Sequence, residues 1–373
     1  MYLSKFSLTK SPEYYTIFPV VMSFFIPMTI YVFASFSVKN LWRYHMLTVK
    51  ENLREVMKKD GNPDRFVNQY EFLHILVPDT YYMGNYPVFP GSPDAKDQFG
   101  VTWTLPAGQM GAFPIHDDEH IVLKDITQWR EILHKPVAPE DPGYWGMLNG
   151  IAAQADRDNQ YVCALQTQGI FERLHALMGM VDALANFYEE PEEMHELIDF
   201  LTECELDFAK TMIERCHIEA VLHHDDWGAT ENSFISPAMF EEFILPAYKK
   251  IYGFYKENGV LVVHHNDGYS RNLVPYMVEM GIDIWQGCIP ANDLPSLIEE
   301  FGGKITFMGE IETRLLDTPA WTDEMVKEEV ERACRKCGKH SFIPCLTAGM
   351  PYTSHVPYDK VCAEIDRMSK EMF

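Results

Sequence analysis

The chain has 373 residues, of which 47% are hydrophobic and 13% aromatic, so it can bury a large core without disulfide staples. Lysine and arginine number 31 against 55 aspartates and glutamates. The net charge of −24, with no basic patch to offset it, excludes nucleic acid as a partner. Eight scattered cysteines exclude the disulfide framework of a small secreted domain.

The first 45 residues differ in composition from the rest of the chain. Residues 14–38 contain no charge and are long enough to span a bilayer. Three interpretations stay open: a membrane anchor, a hydrophobic arm packed on a partner, or upstream sequence ahead of a start at Met46. We expect a hydrophobic extension over residues 1–45 and one folded domain over residues 46–373, cytoplasmic unless the extension anchors it to a membrane.

The folded part begins with a predicted helix over residues 48–60, where Thr48 and Glu51 have the spacing of a capping box. A first strand is predicted within residues 65–77. Residues 78–120 are rich in proline, glycine and aromatic residues, which predicts a long excursion over one face of the domain. The aromatic residues expected to contact a substrate there are Tyr81, Tyr82, Tyr86 and Trp103.

From residue 125 onward, helices alternate with short apolar strands and no hairpin signals intervene. This pattern indicates a parallel sheet that is covered on both faces. The later strands are predicted over residues 161–166, 218–223, 260–265, 282–286, 304–308 and 341–345. Helices are predicted over residues 125–134, 142–158, 171–188, 191–217, 237–257, 270–280, 293–301, 322–337 and 357–372. The number of units fits an α/β fold with a single (β/α)8 TIM-type barrel, and an open doubly wound sheet is the alternative.

Catalytic groups of such barrels lie at the carboxyl ends of the strands. The residues predicted at these ends are His224, Asp226, His265, Asp267, Cys288, Glu310 and Cys345. Imidazole, carboxylate and thiolate groups that converge there predict a zinc site, and hydrogen-bonded histidines without a metal are the alternative. Alternation along the strands turns His223, His264 and Asp225 to the opposite face, where we expect structural hydrogen bonds.

Several stretches resemble the uroporphyrinogen-decarboxylase-like superfamily over residues 46–373. They are TVKENLREVMKKDGNPDR, HHDDWGATENSFISPAMFEEFILPAYKKIYGFYKENG, VVHHNDGYSRNLVPYMVEMGIDIWQGC and GGKITFMGEIET. The chain looks closest to the corrinoid-dependent methyltransferase branch, which includes O-demethylases. The arginine-rich segment with which the decarboxylases proper grip substrate carboxylates is replaced by VNQYEFLHILVPDTYYMG, which disfavours decarboxylation.

The resemblance also implies a metal site. Zinc-dependent members of that branch carry His-x-Cys after one strand, an acidic ligand past the next strand and a final cysteine. His265 and Asp267 fall at the His-x-Cys pair, Cys288 falls near the acidic ligand, and Cys345 falls at the last cysteine. The resemblance therefore implies zinc held by an altered ligand set. The residues expected to supply a proton or orient the substrate are His224, Asp226 and Glu310.

The implied reaction moves a methyl group from a small methoxylated substrate to the cobalt of a corrinoid. The chain has no visible cobalamin-binding motif, so the cobalamin is expected on a separate partner protein. Two alternatives stay open. One is a cofactor-free decarboxylase of the porphyrin type, in which Asp226 would stabilise a cationic intermediate. The other is a non-catalytic, membrane-tethered binding subunit.

Overall fold

The computed structural model describes residues 46–78, 91–106, 111–347 and 353–373. The extension predicted over residues 1–45 and the predicted substrate-contacting residues Tyr81, Tyr82 and Tyr86 lie outside these ranges. Residues Leu47–Phe373 form one compact unit. Within the described ranges, we find no helix with the length and apolarity needed to cross a bilayer.

Seven parallel strands form one sheet in chain order within the described residues. They are β1 (Leu73–Leu76), β5 (Tyr161–Thr167), β6 (Ala220–His224), β7 (Leu261–His265), β8 (Ile284–Cys288), β9 (Thr306–Ile311) and β10 (Phe342–Leu346). A small antiparallel sheet lies between β1 and β5 in the chain, with strands β2 (Ala95–Lys96), β3 (Thr102–Thr104) and β4 (Phe113–Pro114). Sequence alternation did not predict this small sheet because strands of two or three residues show no period.

Helices connect the strands of the large sheet. They are α1 (Val49–Met57), α2 (Trp129–Ile132), α3 (Pro142–Ala152), α4 (Ile170–Met178), α5 (Met180–Glu189), α6 (Pro191–Cys216), α7 (Pro237–Met239), α8 (Leu245–Glu257), α9 (Val274–Met280), α10 (Leu294–Phe301), α11 (Thr313–Leu316), α12 (Asp323–Cys337) and α13 (Tyr358–Met372). A π-helical segment, Phe240–Ile244, joins α7 to α8. The helix predicted over residues 171–188 is two helices, because Gly179 takes a φ of +84° between them.

The first helix confirms its predicted capping box. The Thr48 hydroxyl accepts a hydrogen bond from the Glu51 backbone N–H, and the Glu51 carboxylate accepts one from the Thr48 backbone N–H. This reciprocal bonding satisfies two amides that have no partner inside the helix. It fixes the start of α1, whose Leu53 and Val56 side chains belong to the same buried cluster as strand residues of the large sheet.

That buried cluster shows that the large sheet is curled into a barrel. Its strand members come from all seven parallel strands, namely Leu73, Cys163, Ala220, Leu222, Val263, Ile284, Met308, Ile343 and Cys345. The two edges approach each other, since Gln69 Oε1, next to β1, accepts a hydrogen bond of 3.2 Å from the Leu346 N–H of β10. An open doubly wound sheet would keep its edge strands apart. The TIM-type fold class is confirmed, with seven rather than eight parallel strands in the described residues.

Trp103 occupies a different environment from the one predicted. Its side chain is buried in β3, and its indole N–H donates a 3.0 Å hydrogen bond to Asp97 Oδ2. The same carboxylate binds Arg173 of α4 at 2.6 Å. Trp103 therefore helps to anchor the small sheet on the barrel instead of presenting its ring to a substrate.

Candidate metal centre

Two histidines stand side by side at the carboxyl ends of β6 and β7. The parallel register pairs His224 with His265 and pairs His265 with Gln286 of β8. The two imidazole rings stack with centroids 4.2 Å apart. His265 is 2% exposed, whereas the His224 side chain keeps 28% of its surface accessible. One imidazole is therefore fixed in the barrel and the other faces its mouth.

An oxygen atom orients each imidazole through its Nδ1 atom. Nδ1 of His224 lies 2.8 Å from Glu172 Oε2, and Nδ1 of His265 is hydrogen-bonded to Gln286 Oε1. Because these oxygens accept, each Nδ1 carries the proton and donates. Each Nε2 atom takes no part in these two hydrogen bonds, as in histidines that bind a metal through Nε2, and Nε2 of His265 faces Asp226.

Asp226 completes a three-residue group with these histidines. Asp226 Oδ1 lies 3.8 Å from His265 Nε2, and the ligand atoms of His224, Asp226 and His265 all lie within 4.8 Å of one another. Two imidazole nitrogens and one carboxylate oxygen are a donor set that zinc accepts, and three protein ligands leave a coordination position open. The residues present therefore fit a catalytic divalent metal.

Backbone contacts hold the two loops that carry the acidic groups. The Asp267 N–H donates a 3.0 Å hydrogen bond to Asp226 Oδ1. Two glycines make this approach possible, because a Cβ on Gly268 would lie 2.0 Å from the Gly228 carbonyl oxygen. The loops after β6 and β7 thus touch through backbone atoms, which sets the separation of Asp226 and Asp267.

Carboxylates outnumber the cationic groups of this site. Burial opposes protonation of His224, but the carboxylates of Glu172, Asp226 and Asp267 raise its pKa to about 10. Burial and the neighbouring His224 lower the pKa of His265 to about 4. Exclusion of water by nearby protein atoms, together with repulsion from Asp226, raises the pKa of Asp267 to about 6, although Asp267 is exposed at the rim. The surplus of carboxylates favours a bound cation.

The neighbouring histidines point away from this group, as alternation predicts. His223 Nε2 is hydrogen-bonded to Glu205 Oε2 at 2.7 Å, and His264 Nδ1 to the Tyr252 hydroxyl at 2.7 Å. Both side chains are fully buried between the sheet and the helices. They form part of a polar layer outside the barrel interior.

The structure does not bring the predicted metal ligands together. Cys288 faces the helix layer, because β8 has a bulge at Gly287 that shifts its register against β9. Gly287 takes a φ of +97°, which interrupts the alternation on which the prediction rested. Cys345 lies in the barrel interior near Gln69, and β8 and β9 separate its strand from that of His265. Only His265 of the predicted ligands belongs to the three-residue group in the described part of the chain.

Glu310 also differs from its predicted role at the catalytic mouth. Its side chain is fully buried, and Oε1 lies 2.6 Å from Arg332 Nη1 and 2.7 Å from Lys336 Nζ, both on α12. Glu310 has a φ of +68° and follows Gly309 at +154°, so alternation fails at the end of β9. The carboxylate therefore points to the helix layer and binds two cations there.

Sequence patterns did not identify two residues of the site, Glu172 and Gln286. Gln286 ends a predicted strand, and its position beside a strand-end histidine is the signal that could have revealed it. Glu172 lies in the first turn of α4, directly after the end of β5. No spacing in the sequence connects it to His224, since the contact depends on how α4 is placed over the barrel mouth.

A known protein family matches the part of the chain that contains this site. The family described as Uroporphyrinogen decarboxylase (URO-D) matches residues 157–368, more than half of the chain. The chain belongs to this family. The resemblance identified in the sequence is thereby confirmed at the family level.

Two relatives of this URO-D family protein are informative. A uroporphyrinogen decarboxylase from Nocardia farcinica (strain IFM 10152) is 28% identical over 100 residues, and the match covers 27% of this chain and 27% of that relative. A solved methyltransferase from Methanosarcina mazei superposes with a TM-score of 0.56 at 16% identity, over 73% of this chain and 76% of that one. The first match spans about a quarter of the relative's length, and the second shows a shared fold.

Proposed function

We propose that this URO-D family protein is a metal-assisted methyltransferase. Its reaction moves a methyl group from the oxygen of a small methoxylated substrate to the reduced cobalt of a corrinoid on a separate protein. The observation that best supports this proposal is the convergence of His224, Asp226 and His265 at the mouth of the barrel. We assign the activity to the barrel domain, residues 46–373.

An ether methyl group is a poor electrophile because the alkoxide leaves badly. A divalent metal, with zinc as our proposal, would be held by His224, Asp226 and His265 and would supply Lewis-acid polarisation of the ether oxygen. Glu172 and Gln286 fix the direction of the two imidazoles through their Nδ1 atoms. These contacts keep the ligand geometry unchanged while the substrate enters and leaves.

The chain's own residues also account for the proton. Asp267 lies beside Asp226 at the exposed rim, where its carboxyl group can meet the leaving oxygen. In the proposed reaction the bond between the methyl carbon and oxygen breaks, and the oxygen keeps the electron pair and takes the proton of Asp267. The reduced corrinoid on the partner protein, as the methyl acceptor, would supply the electron pair of the new bond to the methyl carbon.

The acidic mouth argues against a polycarboxylate substrate. Asp226 and Glu312 act on Asp267 as negative charges, and His224 and Arg314 act on it as positive charges. With Glu172 and Asp267 themselves, four carboxylates face two cations. A porphyrinogen with many carboxylates would be repelled by such a mouth, whereas a neutral ether would not. This electrostatic difference is our reason to favour methyl transfer over porphyrinogen decarboxylation.

The metal content of anaerobically purified protein tests the proposal. We expect about one divalent metal per chain in the wild-type protein and none in His265→Ala. Cys345→Ala is the matched control, since this cysteine is buried in the same barrel away from the three-residue group. Elemental analysis of the three proteins would decide whether the His224, Asp226 and His265 group binds a metal.

Activity is then measured with methoxylated compounds and cob(I)alamin as the methyl acceptor. The visible spectrum of the corrinoid reports methyl transfer directly. We expect transfer with wild-type protein and Cys345→Ala and a loss of transfer with His265→Ala. Porphyrinogen decarboxylation by a metal-free protein, with no methyl transfer, would reject the proposal in favour of the activity named for the Nocardia relative.

A further inference from the structure

Glu172, which orients His224, is itself held at both ends by two consecutive residues of the chain. Its carboxylate accepts a 2.8 Å hydrogen bond from His224 Nδ1. Its backbone N–H donates a 2.7 Å hydrogen bond to Oδ1 of Asp225. His224 faces the barrel mouth and Asp225 faces the helix layer, so one dipeptide fixes both the main chain and the side chain of Glu172.

Asp225 takes the place of the missing cap of helix α4. The residue before this helix is Gly169, which has no side chain to bind the free amides of the first turn. The Phe171 N–H donates to Asp225 Oδ2 at 3.1 Å, and the Ile170 N–H donates to the Tyr248 hydroxyl at 3.0 Å. The carboxylate of the residue that follows β6 and a hydroxyl from α8 thus do what a serine or aspartate at position 169 would do.

Two further donors hold the Asp225 carboxylate in place. The Tyr248 hydroxyl donates to Oδ2 at 2.6 Å, and the Trp227 indole N–H donates to the same oxygen at 2.7 Å. Asp225 is fully buried, and these bonds together with the positive end of the helix dipole stabilise its charge. Gly169 leaves the necessary room, because a Cβ there would lie 2.5 Å from the Asp225 Cβ.

A cap from another element satisfies the helix amides and also fixes the position of the helix relative to that element. A side chain at position 169 would satisfy the same amides and would leave α4 free to shift over the barrel. Asp225 ties those amides to β6, next to the residue whose imidazole Glu172 orients. The main chain of Glu172 and the imidazole of His224 are therefore both held at the end of β6.

We propose that Asp225 is a positioning residue that sets the orientation of His224 by fixing Glu172. Asp225 does not touch the metal or the substrate in this scheme. The inference rests on the proposed metal centre, in which His224 is a ligand. It assigns a role to a buried aspartate beside that centre. It also predicts that substitutions of Asp225 and of Glu172 disturb the same contact, the hydrogen bond between Glu172 and His224.

Cobalt(II) binding to the full chain tests this role, because the visible absorption of the ion reports its coordination geometry. We expect Asp225→Asn and Glu172→Gln each to weaken Co²⁺ binding by about 10–100-fold and to change its spectrum. The double variant should bind no more weakly than Glu172→Gln alone, since both changes disturb one contact. Tyr248→Phe, which removes one donor to Asp225, should give a smaller loss in the same direction.

Glu205→Gln is the matched control for the loss of a buried carboxylate. Glu205 binds His223 and Gln166 in the helix layer and has no contact with Glu172 among its hydrogen bonds. We expect it to lower the free energy of unfolding and to leave Co²⁺ affinity and spectrum unchanged. An Asp225→Asn effect no larger than that of Glu205→Gln would overturn the proposal, and so would losses that add fully in the double variant.

A second measurement separates this inference from the proposed function. In metal-free protein labelled with ¹⁵N at histidine, a strongly downfield ¹H chemical shift of the His224 Nδ1–H is the signature of its hydrogen bond to Glu172, whether or not Nε2 also carries a proton. We expect this signature in wild-type protein and Glu205→Gln and its loss in Asp225→Asn. If wild-type protein binds no Co²⁺, the proposed function fails, and an unchanged His224 signal in Asp225→Asn would still overturn the positioning role.

Discussion

Gly268→Ala tests the backbone contact that brings the two acidic loops together. The new Cβ would lie 2.0 Å from the Gly228 carbonyl oxygen and 2.4 Å from its carbon. A carbon and an oxygen approach to about 3.3 Å at the closest, so the loops must separate by about 1 Å. Both contacting atoms belong to the backbone, and no flexible side chain can move aside to make room.

The cost follows from the bonds that this separation breaks. Tyr269 N–H donates to Ala229 carbonyl oxygen at 2.6 Å, and Asp267 N–H donates to Asp226 Oδ1 at 3.0 Å. Each bond contributes about 1 kcal/mol, and the strain of overpacking adds about 1–3 kcal/mol. We expect Gly268→Ala to lower the free energy of unfolding by about 3–5 kcal/mol in total. Co²⁺ affinity should fall at least about tenfold, because Asp226 moves away from the histidines.

Urea unfolding followed by circular dichroism, with a Co²⁺ titration of the folded protein, measures both effects. Gly253→Ala is the matched control, since a Cβ at this position in α8 meets nothing within 4 Å. It should raise the free energy of unfolding by up to about 1 kcal/mol, because alanine favours a helix over glycine. Wild-type stability and wild-type Co²⁺ affinity in Gly268→Ala would refute the proposed backbone contact.

Three further predictions concern residues around the site. Cys288→Ala should retain the bound metal, because this thiol faces the helix layer, and loss of metal measured by elemental analysis would count against that placement. Co²⁺ affinity should rise about tenfold from pH 7 to pH 8, since the metal must displace the proton that a pKa of about 10 keeps on His224; a pH-independent titration would contradict this linkage. Glu310→Ala should lower the free energy of unfolding by about 2 kcal/mol and leave Co²⁺ affinity unchanged, because its carboxylate pairs with partly exposed Arg332 and Lys336 instead of the metal group. Urea unfolding and a Co²⁺ titration of Glu310→Ala check both parts. A loss of Co²⁺ affinity without a loss of stability would indicate that Glu310 belongs to the metal site.

Local signals predicted much of the fold because each depends on residues close together in the chain. Thr48 and Glu51 identify the start of α1, and Pro237 after Ser236 identifies the start of α7, where the Ser236 side chain accepts from the Met239 N–H. Apolar runs identified the strands that carry His224 and His265. Gly179 was not recognised as a break, because a single glycine within an amphipathic pattern is compatible with a continuous helix.

The candidate site was predictable only where strand alternation is regular. It holds through the ends of β6 and β7, so His224, Asp226 and His265 were expected on the interior face, and they meet there. It fails at the bulge of β8 and at Gly309 of β9, where positive φ values turn Cys288 and Glu310 outward. A bulge adds one residue to one strand only, and the sequence of that strand gives no register against its neighbour.

The sequence by itself therefore determined the parallel barrel, the family and the strand ends at which the chemistry lies. Only the tertiary structure decided which strand-end residues share a space, and it decided that Glu172 and Gln286 orient the histidines. The physical reason is that period and capping are local properties of the backbone. The distance between His224 and Glu172, which are 52 positions apart in the chain, depends on the position of α4 over the barrel. Asp225 and Tyr248 fix that position through long-range hydrogen bonds.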